Sequence, residues 1–338
     1  MPEIRQNIAT KEWVIIASER AKRPEQFITN SRPVTADQPV LDAHCPFCPG
    51  NEEGPEFEVL RVPTTGPWQL RVLNNRYPAV EREGDPHRHS QGVERSIHAV
   101  GYHEVVVESR LHNTTSALQK DAEVAWTLLT LQKRAREMAH DSRIEHVLIF
   151  KNHGPGAGAS IAHPHAQIIG LPIVPQNTRA WKRRRYFDDT GHCVHCYILA
   201  EELKAGTRII AENAHHVALV PYAASTPFHV WLLPRRHRHS FNNVPPEEIE
   251  AMAALLRLIT GKLYVGLRDP DYNFMVRSAP VHEPGRDYTH WYLTVVPRLN
   301  TTAGFGSALA CASTRPCQKN VRPFAQYERL TEGLSRRR

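Results

Sequence analysis

His163-Pro-His-Ala-Gln-Ile-Ile169 and His290-Trp-Tyr-Leu-Thr-Val-Val296 are two apolar runs that each open on a histidine, and their recurrence decides the fold. Upstream of each, at a closely matched distance, stands a second histidine, His112 in one copy and His237 in the other. Each of these ends a strand-like run, residues 104–112 and 229–237. A polar turn follows, then a stretch with apolar residues at i, i+3, i+4 spacing, which predicts helices over about 121–138 and 246–263. Pro245-Pro246 ahead of Glu247-Glu248 is a good start for the second. Further strands are expected at 146–150 and 273–276. A C-x-x-C pair precedes each copy, Cys45/Cys48 and Cys193/Cys196. The chain therefore reads as two β-β-α-β-type units. Their sheets are expected to pair edge to edge, with one core per half and a join near 172–191. The run Lys182-Arg183-Arg184-Arg185 in that join reads as a solvated linker rather than a binding patch.

Two thiolates two residues apart, with two imidazoles, complete a tetrahedral zinc shell. The expected sites are Cys45, Cys48, His112 and His163, and Cys193, Cys196, His237 and His290. His239 is a rival to His237. A redox C-x-x-C or unligated surface cysteines are the plainer readings, but the duplication with matched histidines favours metal. Zinc here would clip distant loops to the sheet.

Alternation along a strand is expected to place His163, His165 and Gln167 on one face. A neutral imidazole attacks phosphorus without prior deprotonation, so His165 is the candidate nucleophile. Gln167 can offer an amide N–H to a phosphate oxygen. The preceding loop, Asn152-His153-Gly154-Pro155-Gly156-Ala157-Gly158-Ala159-Ser160, adds backbone N–H groups and the Ser160 hydroxyl. It lacks the Lys-Ser/Thr ending of a P-loop. A lone strand histidine is commonly just packed; the position after this loop sets His165 apart. In the second copy Tyr292 stands at the nucleophile position and Thr294 at the glutamine position, so that half reads as catalytically silent.

Among the 338 residues the net charge is +7, but from Gly306 onward seven Lys/Arg face two Glu, so the basic balance belongs mostly to the tail. It does not argue for nucleic acid. No apolar run approaches the roughly 20 residues of a membrane span, and Met1-Pro2-Glu3-Ile4-Arg5 is not the start of a secretory signal. A cytoplasmic protein with no membrane partner is expected. Four of the six cysteines fall in the two pairs, which argues against a disulfide framework.

His163-Pro-His-Ala-Gln167, the Asn152 to Ser160 loop and the Cys45/Cys48 pair resemble the galactose-1-phosphate uridylyltransferases, a branch of the histidine-triad superfamily. The resemblance covers about residues 1–305. It implies an α+β fold of two histidine-triad-like repeats, with mostly antiparallel sheets and helices on one face. Residues 1–175 would carry the nucleophile and the first zinc site, and 176–305 a degenerate half with the second. The implied reaction is ping-pong: UDP-glucose gives a uridylyl-His165 intermediate, and a hexose 1-phosphate accepts the nucleotide. Arg20-Ala-Lys-Arg-Pro24, Cys45-Pro-Phe-Cys-Pro-Gly-Asn51, Asn75-Arg-Tyr-Pro78 and Ile168-Ile-Gly-Leu-Pro172 look closer to the ADP-glucose phosphorylases, which pass AMP to phosphate. By resemblance Arg20, Lys22, Arg23, Asn75, Asn152, Gly158, Ser160, Gln167 and Phe305 contact the nucleotide sugar; for Arg20–Arg23 a solvated basic turn is the plainer reading. Relatives of this family are commonly homodimers. A non-catalytic, zinc-stabilised nucleotide-binding protein is the alternative of another class.

The family pattern continues past Phe305 with a glutamate, a glycine-rich strand and an acidic helix. Residues 306–338 show neither, and hold the remaining Cys311 and Cys317. Back-translation with one base restored after Phe305 reads E-I-G-I-G-M-C-I-N-T-S-L-P-E-E. The tail is therefore read as out of frame, an expectation that the gene sequence decides.

Overall fold

The computed structural model describes residues 3–16, 34–52, 54–176, 181–282, 286–299 and Ala312–Thr314. The antiparallel pair β1 (Glu3–Gln6) and β2 (Trp13–Ile16) opens the chain. The first half continues with β3 (Glu58–Val62), β4 (Leu70–Asn74), the separate hairpin β5 (Arg88–Gln91) and β6 (Glu94–Ile97), and β7 (Tyr102–Val107). Then come α1 (Asp121–Met138), β8 (His146–His153) and β9 (His165–Leu171). The second half comprises α2 (Trp181–Thr190), α3 (Val194–Ala205), β10 (Ile209–Glu212), β11 (His216–Leu219), β12 (Val230–Pro234), α4 (Pro246–Leu267), β13 (Tyr272–Arg277) and β14 (Tyr292–Pro297). Beyond it, β15 (Ala312–Thr314) lies parallel to β2. No helix among the described residues is long and apolar enough to cross a membrane.

Ten strands form one antiparallel sheet in the order β10-β11-β12-β14-β13-β8-β9-β7-β4-β3. The order is the same five-strand arrangement twice, joined edge to edge through β8 and β13 as the repeat predicts. Equating His163 with His290 equates Gln167 with Thr294. Phe150 pairs with Gln167 and Met275 with Thr294, and Phe150 also faces Met275 across the joint. The pseudo-two-fold axis therefore passes through the Phe150–Met275 pair.

One face of each strand is apolar and covered by helices. Val106, Ala166, Ile168, Ile149, Phe274, Leu293 and Val295 meet Leu128 and Leu131 of α1 and Leu256 and Ile259 of α4 in one buried cluster. Each such Leu or Ile contributes about 1.5–3 kcal/mol by leaving water. The expectation of one core per half is corrected here: the shared sheet joint lets α1 and α4 pack on a single continuous core. The other face of the sheet carries His165, Gln167 and, across the axis, Tyr292 and Thr294.

Helix α1 has the expected bounds, with Glu123 accepting a bond from the Lys120 backbone N–H at its start (2.6 Å). Other expectations shift. The strands after the C-x-x-C pairs stop at Val107 and Pro234, so His112 and His237 lie in the following loops. The strands expected to open on His163 and His290 begin two residues later. The supposed basic linker is part of α2. Arg184 and Arg185 lie 3.9 and 4.0 Å from Asp188 and Asp189, one helical turn on, and Phe187 packs edge-on against Tyr288.

Candidate active site and metal groups

In the first Cys/His group, Cys45, Cys48, His112 and His163 are all buried, and each offers a ligand atom within 4.8 Å of the others. The C-P-F-C stretch forms a tight turn in which the Cys48 N–H donates to the Cys45 carbonyl (3.2 Å). Cys48 Sγ lies 3.6 Å from His112 Nδ1 and 3.5 Å from His163 Nδ1. The outer nitrogen of His163, Nε2, donates to the Ser109 carbonyl (2.7 Å). That bond fixes the tautomer with a bare Nδ1 facing the sulfurs, the arrangement a metal-bound histidine adopts. Burial takes the His163 pKa down to about 4, so the ring is neutral at neutral pH. Burial pushes the Cys45 thiol up to about 11; a thiolate there needs a cation beside it. The donor set fits a tetrahedral metal ion. His163 serves this group although it stands two residues before β9, with its Nδ1 3.5 Å from Cys48 Sγ.

The second group repeats the pattern in a more open setting. Cys196 Sγ is 3.2 Å from His237 Nδ1 and 3.4 Å from His290 Nδ1, and Cys193 completes the group. His237, not the rival His239, belongs to it. Cys196 and His237 are half-exposed and border an open bowl with His192, Tyr197 and Asp287.

His165 is the first residue of β9 and is 6 % exposed. Its Nδ1 lies 2.8 Å from the His163 carbonyl. A carbonyl only accepts, so Nδ1 carries the proton and Nε2 keeps its lone pair. Burial holds the pKa below the usual imidazole value. The His163 carbonyl opposes that shift and Lys151 adds to it. Phe47, the third residue of the C-x-x-C turn, sets its ring against His165 at 5.5 Å and His163 at 6.0 Å. Beneath the strand a buried pair, Lys151 Nζ to Glu108 Oε2 at 2.6 Å, also reaches the His165 carbonyl at 3.4 Å. His165 is thus a neutral imidazole whose ring is oriented on one side and whose main chain is tethered on the other.

Gln167 follows two residues on. Its Oε1 lies 2.9 Å from His103 Nε2. Asn75 Nδ2 sits 3.0 Å from the same ring nitrogen, so Asn75 and Gln167 belong to one cluster. Asn152 lies at the end of β8. Its Oδ1 accepts from Asn273 Nδ2 (2.7 Å), and Arg298 Nε donates to Asn273 Oδ1 (2.5 Å). Asn273 Nδ2 also reaches the Ala157 carbonyl (2.9 Å), and the Gly156 N–H donates to Asp271 (2.5 Å), so the second half braces the glycine loop of the first. Gly158 takes φ +89°, a conformation L side chains rarely adopt. Ser160 is exposed at the loop's end. Arg20, Lys22, Arg23 and Phe305 lie outside the described residues, as does the 306–338 tail apart from β15.

A buried carboxylate behind the loop ties three segments together. Asp269 accepts from His153 Nε2, from the Thr35 N–H and from the Thr35 hydroxyl, each at 2.7 Å. Burial opposes its charge, but the His153 and Thr35 contacts outweigh that and hold the carboxyl below its usual range. Asp269→Ala is expected to cost about 3 kcal/mol, since charge-assisted bonds are lost and buried donors stranded. Urea unfolding measures it; an unchanged midpoint would show that the carboxylate is not a brace.

In the second half the equivalent of the His165 pocket is filled. Tyr292 packs at 5.0 Å from both His195 and Trp231. His195 holds the third place of its C-x-x-C turn, as Phe47 does of the first. Sequence reasoning missed His103, Lys151, Glu108, Asp269 and Asn273. Lys151 and Glu108 carried a signal, as charges at the ends of apolar runs. Asp269 and Asn273 carried none, because their partners are distant in sequence.

Comparison with known proteins agrees with this architecture. The galactose-1-phosphate uridyl transferase N-terminal domain matches residues 1–175, and the C-terminal domain of the same family matches 179–295. An ADP-glucose phosphorylase of Arabidopsis thaliana is 35 % identical over 317 residues, 92 % of this chain and 88 % of that protein. A galactose-1-phosphate uridylyltransferase of Thermotoga maritima is 29 % identical over 297 residues, 86 % of this chain and 85 % of that one. The crystal structure of an Arabidopsis thaliana ADP-glucose phosphorylase with bound ADP-glucose superposes with TM-score 0.80 at 32 % identity, covering 96 % of this chain and 98 % of that one. A uridylyltransferase structure superposes at TM-score 0.74 and 24 % identity, over 98 % of this chain and 99 % of that chain, and shares the fold. The chain belongs to the galactose-1-phosphate uridyl transferase family.

Proposed function

We propose that this protein transfers a nucleotidyl group through His165, and that its donor is ADP-glucose and its acceptor inorganic phosphate. The observation that carries the first part is the His165 ring, neutral, with Nδ1–H held by the His163 carbonyl and the Nε2 lone pair free. Nε2 attacks the α-phosphorus, the Nε2–P bond forms, and the bond from that phosphorus to the bridging oxygen breaks. Glucose 1-phosphate leaves. The positive charge that develops on the ring strengthens the Nδ1–H bond to the carbonyl, an interaction made most fully in the transition state. The Gln167 amide and the exposed Ser160 hydroxyl donate to the non-bridging oxygens; the Gly156 to Ala159 N–H groups are held within the protein and shape the loop instead. A phosphate oxygen then attacks the same phosphorus, giving ADP and restoring His165. The Cys45/Cys48/His112/His163 and Cys193/Cys196/His237/His290 groups would hold zinc ions in structural roles, pinning the loops that place His163 and Phe47 beside His165.

The preference for adenine rests on the greater likeness to the plant phosphorylase, 35 % identity against 29 % for the bacterial uridylyltransferase. The second reading, uridylyl transfer from UDP-glucose to galactose 1-phosphate, follows the description of the family itself. Incubation with ADP-glucose and with UDP-glucose, each labelled at the α-phosphate, decides between them. Label retained on the protein from ADP-glucose and discharged by phosphate is the expected result. Label from UDP-glucose discharged by galactose 1-phosphate would replace it, and no label from either donor would favour a non-catalytic binding role.

A further inference from the structure

We propose that His103 is a positioning residue that locks Gln167 with its amide N–H₂ turned to the reacting phosphate; the inference rests on the reading of His165 and Gln167 as the transfer site. The Ala79 backbone N–H lies 3.0 Å from His103 Nδ1. A backbone N–H only donates, so Nδ1 accepts and the neutral ring carries its proton on Nε2. That Nε2–H faces Gln167 at 2.9 Å and needs an acceptor, which is Oε1. With the oxygen engaged, the remaining end of the Gln167 amide is a donor. It lies on the face of the sheet that carries His165, two residues along the same strand. The opposite flip would turn a carbonyl oxygen toward a phosphate oxygen, and the two would repel. His103 forbids that flip. Asn75 Nδ2 also lies 3.0 Å from His103 Nε2, with the Asn75 Oδ1 accepting the Tyr77 N–H at 2.8 Å; because Nε2 carries the proton, that N–H₂ cannot bond the ring and must turn its hydrogens away from it.

The second half supplies an independent copy of the device. In the pairing register Val105 faces Gln167 and Trp231 faces Thr294. His103 and His229 are therefore equivalent positions, each two residues earlier in the chain, His103 within β7 and His229 just ahead of β12. The Ser225 N–H reaches His229 Nδ1 at 3.4 Å, and His229 Nε2 lies 2.7 Å from Thr294 Oγ1. Ala79 follows β4 and Ser225 follows β11, the matching strands. A backbone N–H on Nδ1 and an Nε2–H aimed at the glutamine position thus recur in both halves. Only the first half has an amide there to orient.

A double-mutant cycle tests the assignment, read as the single-turnover rate of labelling from whichever α-labelled donor marks the wild type. His103→Ala is expected to slow labelling by about 10- to 100-fold, less than the roughly 100- to 1,000-fold for deleting an aimed donor outright because Gln167 itself remains, with donor affinity changed less than about two-fold. In the Gln167→Ala background the same change is expected to do almost nothing, because its whole effect passes through Gln167. His103→Asn, which keeps a donor, is expected to recover part of the rate. Ring ¹⁵N shifts of the wild type give a measurement free of variants and of activity; a proton on Nε2 of His103 is expected. Multiplicative losses in the double variant, or a proton on Nδ1, would overturn the proposal while leaving His165 as nucleophile. A wild type that takes no label from either donor overturns the reading of the site and the proposal together.

Discussion

Replacing His165 with alanine is expected to lower nucleotidyl transfer by at least about 10⁴-fold, since removal of a nucleophile deletes the covalent route and leaves only binding and oriented donors. The fold should survive. His165 is buried, but its polar contacts are few: Nδ1 to the neighbouring carbonyl of its own chain, and Phe47 across its face. None of the metal-group contacts depends on it. Affinity for the intact nucleotide sugar should therefore change little while the rate collapses. The measurement is labelling rate alongside equilibrium binding of the donor. A variant that turns over at more than a hundredth of the wild-type rate would mean that another group attacks phosphorus.

The second large effect is on the Cys/His groups. Cys48 lies within 3.6 Å of both imidazoles of the first group and accepts the Asp42 N–H at 3.3 Å. Cys48→Ser is expected to release the metal of that group and to destabilise the protein by about 5 kcal/mol or more, because structural zinc binding is itself folding energy. Transfer should fall with it, since the turn that carries Phe47 and the bend that carries His163 lose their common anchor. Cys196→Ser should be milder. Its group is half-exposed, and the half it belongs to, with Tyr292 in the nucleophile's place, is the one expected to be catalytically silent. For the same reason a chelator should strip the second group first, while activity persists. Metal content measured alongside activity during chelation follows both events; loss of activity with the first ion to leave would reverse the assignment of roles.

The sequence was most legible where periodicity and side-chain chemistry coincide. The bounds of α1 followed from its apolar spacing. The two Cys/His groups, which could each hold a metal ion, followed from cysteine spacing with matched histidines. The register of the halves was not legible in the same way. Aligning the copies on His112 and His237 equates Glu104 with His229, whereas strand pairing equates His103 with it. The second half has one residue fewer between strand and ligand, and a one-residue slip turns every side chain to the other face. That slip concealed the His103–Gln167 and His229–Thr294 pairs. The helix α2 was misread because its arginines were counted as a charge run; the Asp188 and Asp189 partners one turn away were already in the sequence. Edge-to-edge pairing of the sheets was expected from the repeat, but the single core was not, because it depends on α1 and α4 packing together over the β8–β13 joint, a contact between halves that no local pattern encodes.

The central claim is a covalent bond between one imidazole nitrogen and a nucleotide phosphorus. Protein incubated with ADP-glucose in the absence of phosphate, then digested at alkaline pH and analysed by mass spectrometry, tests it directly. The account predicts one nucleotidyl group, lost on mild acid treatment as a phosphoramidate should be, on His165 in the peptide that contains His163-Pro-His-Ala-Gln167. A nucleotidyl group on any other residue, or steady turnover with none found on His165, would contradict it.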